Sequence, residues 1–555
     1  MLTWPRCSIA AGCVVSVLGI LGIQTAAQSS RPLTDARVDA IFKAWSTATP
    51  GCAIGVAVKG EPIVRAAYGM ADLEHDVPNT PETIFEAGSV SKQFTAMAVM
   101  LLARDGKLTL DHTVRKYIPE VPELGAPVTI RQMLQHTSGL RDWGNLAAIA
   151  GWPRSTRVHT HGHVLDILSR QRSLNFPPGT RWSYSNSGYN LAAILVSRVS
   201  GMSFADFTRT RMFEPLGMRD TSWRDDYTRV VTRRAIAYSE RQGKFAADMP
   251  FENVHGNGGL LTTVGDLLKW NENFTKPVVG DTAVLAEMQR NVRFTDGGTH
   301  EYALGLYSDT YKGVREVDHS GATAGYRAHL GRYPDQQVSV AVLCNAGSAN
   351  ATAFAKGAAE LYLTGLAASP APPAAHALTE AEAERLVGLY RSRQPAGIVT
   401  IARDKNALSA QNIGRLIPVS STRFVTADAY TFEFDGRGQL RRTDEFTRVD
   451  VFDRVARAQP TADVLKGLAG RYVSDEVETT LIAAVDGDRL VLRRRPDSEI
   501  VLTPVYPDGF SSPLGWIVFH RDGAGRATGL SVSQDRVWDL RFTRQADSPG
   551  SSARR

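Results

Sequence analysis

The run Ala367-Ala-Ser-Pro-Ala-Pro-Pro-Ala-Ala375 divides this 555-residue chain into two parts that follow different patterns. A Pro/Ala run of this kind is a semi-rigid, extended linker, here taken as 367–379. Beyond it, short apolar-alternating runs separated by turn residues predict strands. This part also repeats itself. Leu386-Val-Gly-Leu-Tyr390 returns as Leu468-Ala-Gly-Arg-Tyr472, and Phe434-Asp-Gly-Arg-Gly438 returns as Arg521-Asp-Gly-Ala-Gly525. Asp-Gly between alternating runs is a hairpin signal. The two offsets are similar, so two copies of one unit are expected, at 380–458 and 461–545. Each copy has room for about eight short strands, and a small antiparallel barrel is the natural closed form.

Upstream, residues 33–366 read as one mixed α/β unit. A helix is expected over 34–45, then a hairpin at 54–58 and 63–68. A long helix follows over 90–105, with apolar residues on a repeating face. Strands return at 329–333 and 338–343, and a closing helix is expected over 351–366. Strands at both ends with helices between them predict one antiparallel sheet closed by the two ends of the unit, with a helical insert.

The first 27 residues have the form of a signal peptide. Arg6 is followed by an apolar stretch over 7–23, and Thr25-Ala26-Ala27 offers small residues for cleavage. The expected location is periplasmic or secreted, with no stable membrane insertion after cleavage. Cys52 and Cys344 then remain, each at the edge of a strand-like run. Export permits a disulfide, and two buried thiols are the alternative. The net charge of +6 comes from scattered arginines, with one local run at Arg493-Arg494-Arg495. No nucleic-acid-reading element accompanies them. His159-Thr-His161-Gly-His163 alternates like some zinc sites, but the histidine at 163 breaks the usual metallohydrolase pattern. An exposed loop or helix start is expected there, and no metal.

Three short motifs carry chemistry. In Ser89-Val-Ser-Lys92, a spacing of three puts both side chains on one helix face. Gly88 relaxes the backbone before the serine. A buried lysine is driven neutral and can then act as a base. Tyr184-Ser-Asn186, in a turn-rich run, can aim a phenol and an amide into one cleft. His319-Ser-Gly321 precedes Ala322 near a late strand, where glycine lets a substrate approach the backbone.

In this order and on these elements, the three motifs resemble those of the penicillin-recognising serine hydrolases. That superfamily contains class C β-lactamases, D-alanyl-D-alanine carboxypeptidases, D-aminopeptidases and esterases. Thr129-Ile-Arg-Gln-Met-Leu-Gln-His136-Thr-Ser-Gly-Leu140 and Gly256-Asn-Gly-Gly-Leu-Leu-Thr-Thr263 fit it as well. The resemblance covers nearly all of 33–366. It implies Ser89 as nucleophile, Lys92 as general base, Tyr184 as proton relay and His319 as an assisting group, with Tyr184 the alternative to Lys92 as the base. Asn186 would orient the substrate amide, Gly321 would admit the substrate, and the N–H of Ala322 would join that of Ser89 in an oxyanion hole. No cofactor is implied.

Class C β-lactamases carry Lys-Thr-Gly where this chain has His-Ser-Gly, so the resemblance leans towards peptidase or esterase. A catalytic unit followed by two barrels is similar to the D-stereospecific aminopeptidases. In those enzymes a loop of the last barrel reaches the active site and restricts it to short substrates with a free amino end. The matching stretch is expected at 504–515, where Asp508 would pair with a substrate ammonium. The expected substrate is a small peptide, amide or ester. A D,D-carboxypeptidase, an esterase or a non-turnover cell-wall sensor are the alternatives. A homodimer is compatible with the chain.

Overall fold

The computed structural model describes residues 33–546 apart from 369–375, 394–395, 406, 428–429 and 445–448. The signal segment expected over 1–27 and most of the Pro/Ala run lie outside the described residues.

The unit over 33–366 is built on a six-stranded sheet, antiparallel throughout. Its strands are β1 (Cys52–Val58), β2 (Glu61–Tyr68), β3 (Tyr307–Tyr311), β4 (Val314–Thr323), β5 (Tyr326–Tyr333) and β6 (Val338–Cys344), in the spatial order β3-β4-β5-β6-β1-β2. The two ends of the unit thus meet where β1 pairs with β6, as expected. Cys52 lies opposite Cys344 in that register, and the two form a disulfide.

Seven helices are used below: α1 (Ala36–Ile41), α2 (Ser91–Arg104), α3 (Trp143–Ile149), α4 (His161–Ser169), α5 (Asn186–Ser200), α6 (Val264–Glu272) and α7 (Ala351–Glu360). The alternation in β1 explains how they pack. Cys52, Ile54 and Val56 point to one face, into a cluster with Val38 of α1, Phe42 at its end, and Ala355, Ala358 and Ala359 of α7. Ala53 and Ala57 point to the other, into the core that contains α2. Small residues on that face let α6 come close: a Cβ on Gly55 would lie 2.9 Å from Leu268. The expected one-faced helix over 90–105 is α2, but it is buried on all sides from Ser91 to Leu102. It runs between the sheet and the helical insert, so no face meets solvent.

The C-terminal part forms two closed eight-stranded antiparallel barrels. One runs from Gly388–Arg393 to Val449–Val455, the other from Gly470–Ser474 to Leu540–Arg544. The repeated Leu-x-Gly-x-Tyr has a structural reason. In each copy a short helix precedes the first strand, and the tyrosine hydroxyl donates to the carbonyl of the helix's last leucine: Tyr390 to Leu386 and Tyr472 to Leu468. The glycine makes room for an arginine from the last strand. A Cβ on Gly388 or Gly470 would lie 2.8 Å from Nε of Arg454 or Arg544.

The second barrel is locked to the unit over 33–366 by a buried ion pair. Arg141 Nη1 lies 2.8 Å from Glu476 Oε2, with 2% and 9% of the two side chains exposed. The same guanidinium donates to the carbonyl of Trp538, and Glu476 also accepts from the N–H of Arg172. Removing one partner of such a pair strands the other charge in the interface, which costs about 3–5 kcal/mol. Glu476→Ala is therefore expected to lower the melting temperature of the full chain clearly. The double variant Arg141→Met/Glu476→Leu should recover most of that loss in the same calorimetric scan.

Candidate active site

Ser89 sits in a 3-10 turn, Gly88–Val90, that leads directly into α2. This turn is pressed against the end of β4. Gly88 has φ of +50°, and a Cβ there would lie 2.7 Å from the backbone nitrogen of Ala322. A Cβ on Gly321 would lie 2.1 Å from the Ala87 carbonyl oxygen and 3.1 Å from the Ser89 nitrogen. Both glycines are required by the close approach, which puts the Ala322 nitrogen against Gly88 and the Ser89 nitrogen against Gly321.

One turn into α2, Lys92 is wholly buried. Its Nζ lies 3.1 Å from Ser89 Oγ, 3.0 Å from Asn186 Oδ1 and 2.6 Å from the Asn257 carbonyl oxygen. It forms no ion pair among the described residues. Burial holds its amine well below the ordinary lysine range, and the nearby Arg536 guanidinium pushes the same way, with Asp142 opposing. Asn257 lies in the Gly256-Asn-Gly-Gly run, so that motif supplies the backbone acceptor. Asn186 opens α5 and is held by its own N–H, which donates to Asp142 Oδ2 at 2.7 Å. Asp142 also caps α3.

The Tyr184 ring lies 4.8 Å below Lys92 Nζ and 4.3 Å from the ring of His136. Desolvation pushes its phenol well above the ordinary value, opposed by its hydrogen bond with the Ser89 side chain and by Arg536. His319, on β4, is buried, and burial takes its imidazole down to about 3. Its Nδ1 bonds the Ser320 carbonyl at 2.6 Å, and its Nε2 lies 3.3 Å from the Tyr302 hydroxyl. The Tyr302 oxygen is also 3.2 Å from His136 Nε2, while His136 Nδ1 accepts from the N–H of Ser185. These contacts fix one direction of donation. His136 Nε2–H donates to Tyr302, Tyr302 donates to His319 Nε2, and His319 Nδ1–H donates to Ser320. His319 is thereby neutral with both nitrogens engaged.

A cavity of about 730 Å³ opens over these groups. It is lined by Ser89, Tyr184, Asn186, His319, Gly321 and Ala322 among others. Lys92 lies beneath it, so every catalytic-unit residue expected from the sequence is gathered at one place.

Asp508 is not. It stands in the turn between strands Ser498–Tyr506 and Gly509–Ser512, tied to Arg521 at 2.7 Å, and does not line the cavity. The barrel loop that reaches the cavity is 534–539, between the last two strands, and it contributes Asp535 and Arg536. The Arg536 guanidinium lies 4.8 Å from the Tyr184 ring centroid. The loop is anchored through its backbone. The Arg536 carbonyl accepts from Asp142 N–H and Asn175 Nδ2, and Asn175 Oδ1 accepts from Trp538 N–H. Asn145 Nδ2 donates to Gln534 and Asp535.

Asp142, Tyr302, Asn257 and the barrel pair escaped sequence reasoning. His136-Thr-Ser-Gly was the one available signal for the hydrogen-bonded chain to His319. The alternating histidines open α4 as expected, but His159 is buried rather than exposed, packed 5.2 Å from the Trp143 ring.

A model of the beta-lactamase family matches residues 34–364. The chain belongs to that family. It is 26% identical over 506 residues to a protein named D-aminopeptidase from Brucella canis, spanning 87% of this chain and 93% of the relative. Among solved structures, the octameric penicillin-binding protein homologue from Pyrococcus abyssi superposes with a TM-score of 0.53 at 24% identity. It covers 73% of this chain and 96% of its own. A D-stereospecific amidohydrolase from Streptomyces gives 0.51 at 22% identity, covering 60% and 100%. The solved structures show the fold. With the family and the D-aminopeptidase relative, the chain is a serine hydrolase of this superfamily.

The Arg536 charge holds Lys92 down, so removing it raises the lysine's proton affinity. In Arg536→Met, the pH at which Ser89 becomes reactive should move upward. The check is the pH dependence of covalent labelling by a fluorophosphonate.

Proposed function

We propose that this chain is an exported D-aminopeptidase-like hydrolase that releases N-terminal D-residues from short peptides or amides through an acyl-enzyme on Ser89. The observation that carries the chemistry is the environment of Lys92. A neutral amine has two hydrogens and one lone pair. The hydrogens go to Asn186 Oδ1 and the Asn257 carbonyl, which leaves the lone pair for the Ser89 hydroxyl. Lys92 is thus the base that takes the Ser89 proton as Oγ attacks the substrate carbonyl. Tyr184, kept protonated by its enclosure, donates rather than accepts. It passes a proton to the leaving amine and is recharged from Lys92. The backbone N–H groups of Ser89 and Ala322 hold the oxyanion, since the glycine contact packs the Ser89 turn against the end of β4. Water then cleaves the ester by the reverse proton path. His319 holds shape and neutrality in this scheme, because both its nitrogens are already bonded.

The aminopeptidase reading is supported by the D-aminopeptidase relative, whose similarity spans 87% of this chain, and by the loop that the second barrel sends into the cavity. Asp535 on that loop takes the role first expected of Asp508, pairing with the substrate ammonium. The paired cysteines suit an oxidising compartment and so support export.

Three results are expected. Ser89→Ala should lose ~10⁴-fold or more in kcat. D-alanine p-nitroanilide should be cleaved and its N-acetylated form spared. Asp535→Asn should raise KM for the free amine by roughly tenfold with little change in kcat. Equal cleavage of the N-acetylated substrate would replace this reading with the esterase or carboxypeptidase alternative.

A further inference from the structure

A second cavity, of about 570 Å³, lies where the two barrels meet, and it shares no lining residue with the cavity over Ser89. The barrels touch along a short apolar seam. Leu389, Ile398 and Val455 of the first pack with Val505, Tyr506 and Val518 of the second. Alternation along the strand Gly388–Arg393 sets up both the seam and the cavity. Tyr390 turns into the core of its own barrel, which leaves Leu389 and Arg391 on the outside. Leu389 enters the seam, and Arg391 reaches the cavity beside it.

Arg391 forms no ion pair and no side-chain hydrogen bond among the described residues. Its guanidinium lies 4.8 Å from the centroid of the Tyr506 ring. A cation placed over a ring is fixed in position while its N–H edges stay available. Tyr506 also lines the cavity and is only 2% exposed, yet its hydroxyl has no hydrogen-bond partner among the described residues. Burial pushes this phenol above its ordinary value, with Arg391 opposing, so the group keeps a proton to donate. The other charges are already engaged or add to the same sign. Arg541 is bound to Asp539 at 2.6 Å, and Asp453 accepts from Gln439 Nε2 at 3.4 Å. Asp453 faces Arg391 across the strand pair without coming within ion-pair distance. Arg181 adds a third arginine against these two aspartates, so the walls are positive on balance. Two valines, Val449 and Val451, line the same cavity although 38% and 44% exposed.

We infer that the cavity between the barrels is a binding site for a small organic carboxylate. The carboxylate takes two parallel bonds from the free edge of Arg391 and a third from the Tyr506 hydroxyl. Its apolar body rests on Val449 and Val451. Three features select this class of ligand. The volume is far larger than an inorganic anion needs. The surplus of one positive charge suits a monoanion. The face of Tyr506 is already covered by Arg391, so no platform remains for a sugar ring. The site adjoins the walls of the cavity over Ser89 without entering it: Arg181 precedes Trp182, and Asp539 ends the loop that carries Asp535 and Arg536. It makes no demand on what Ser89 cleaves.

The experiment titrates 3-phenylpropanoate into the full chain by calorimetry after Ser89 has been blocked with a fluorophosphonate. The uncharged counterpart is 3-phenylpropan-1-ol, and sulfate is the anion without an apolar body. Neither organic probe has a bond for a hydrolase to cleave. One equivalent of the carboxylate should bind, ~10-fold or more tighter than the alcohol, as one charge-assisted bidentate contact allows. It should also bind tighter than sulfate. Arg391→Gln should remove the preference for the acid, and Tyr506→Phe should weaken binding about fivefold, the effect of one neutral hydrogen bond. Asp453→Asn removes the acid that faces Arg391 and should tighten binding. This last variant keeps the test decisive if Arg391→Gln does not fold. No binding, equal affinity for acid and alcohol, an unchanged affinity in Arg391→Gln, or weaker binding in Asp453→Asn overturns the site. Sulfate bound as tightly as the carboxylate overturns its assignment to an organic ligand.

Discussion

The contact between the Ser89 turn and the end of β4 sets everything else. Two backbones meet there at distances that only Gly88 and Gly321 permit. This fixes α2 against the sheet at one depth, and the depth decides where Lys92 ends up. An amine one turn further along a helix buried on all sides has no route to water. It is left with Asn186, Asn257 and Ser89 as its neighbours. The cost of burying a charge makes the neutral form the stable one. The placement of Ser89 beside the buried Lys92 and near the backbone nitrogen of Ala322 therefore follows from a single packing constraint.

The second barrel depends on the same region through Asp142. One carboxylate oxygen of Asp142 caps α3, the other receives the N–H of Asn186, and its own N–H donates to the carbonyl of Arg536. The residue before it, Arg141, carries the buried pair with Glu476. Two adjacent residues thus join the amide that touches Lys92 to the loop that closes the cavity. The loop that carries the guanidinium over Tyr184 is held by backbone bonds; the guanidinium itself pairs with Asp535 at 3.3 Å, and its charge also bears on Lys92 and Tyr184. A loop held in this way adds electrostatics to the site without adding a group that reacts.

What could be read from the sequence divides along the same line. Ser89 and Lys92 share one helix turn, Tyr184 and Asn186 flank one helix start, and His319, Gly321 and Ala322 share one strand. Each motif is short and local, and the resemblance carried by their order along the chain was what singled them out. The sheet was legible because β1 and β6 are short apolar runs, and the barrels because the tyrosine and glycine of each copy serve one helix-to-strand junction. Asp508 failed for the opposite reason. Its neighbourhood looked like the reaching loop, yet the turn it occupies binds it to Arg521. The loop that does reach is chosen by how the barrel is docked, which is fixed by Arg141, Asn175 and Asp142, some 360 to 400 residues earlier for the contacts with Arg536, Trp538 and Asp539. No local pattern records such a choice.

The direction of hydrogen bonding from Ser185 through His136 and Tyr302 to His319 was illegible for a further reason: it is a property of protons, set by which nitrogen already has a partner. Its consequence reaches the third motif. A histidine with one nitrogen donating to a carbonyl and the other accepting from a phenol adds no charge to the cavity. A lysine at that position would add a cation beside Lys92. With histidine there, the cavity cation that has no ion pair among the described residues is Arg327, opposite Ala322 rather than next to Lys92. The replacement thus leaves Lys92 with no second amine beside it in the buried wall of the cavity.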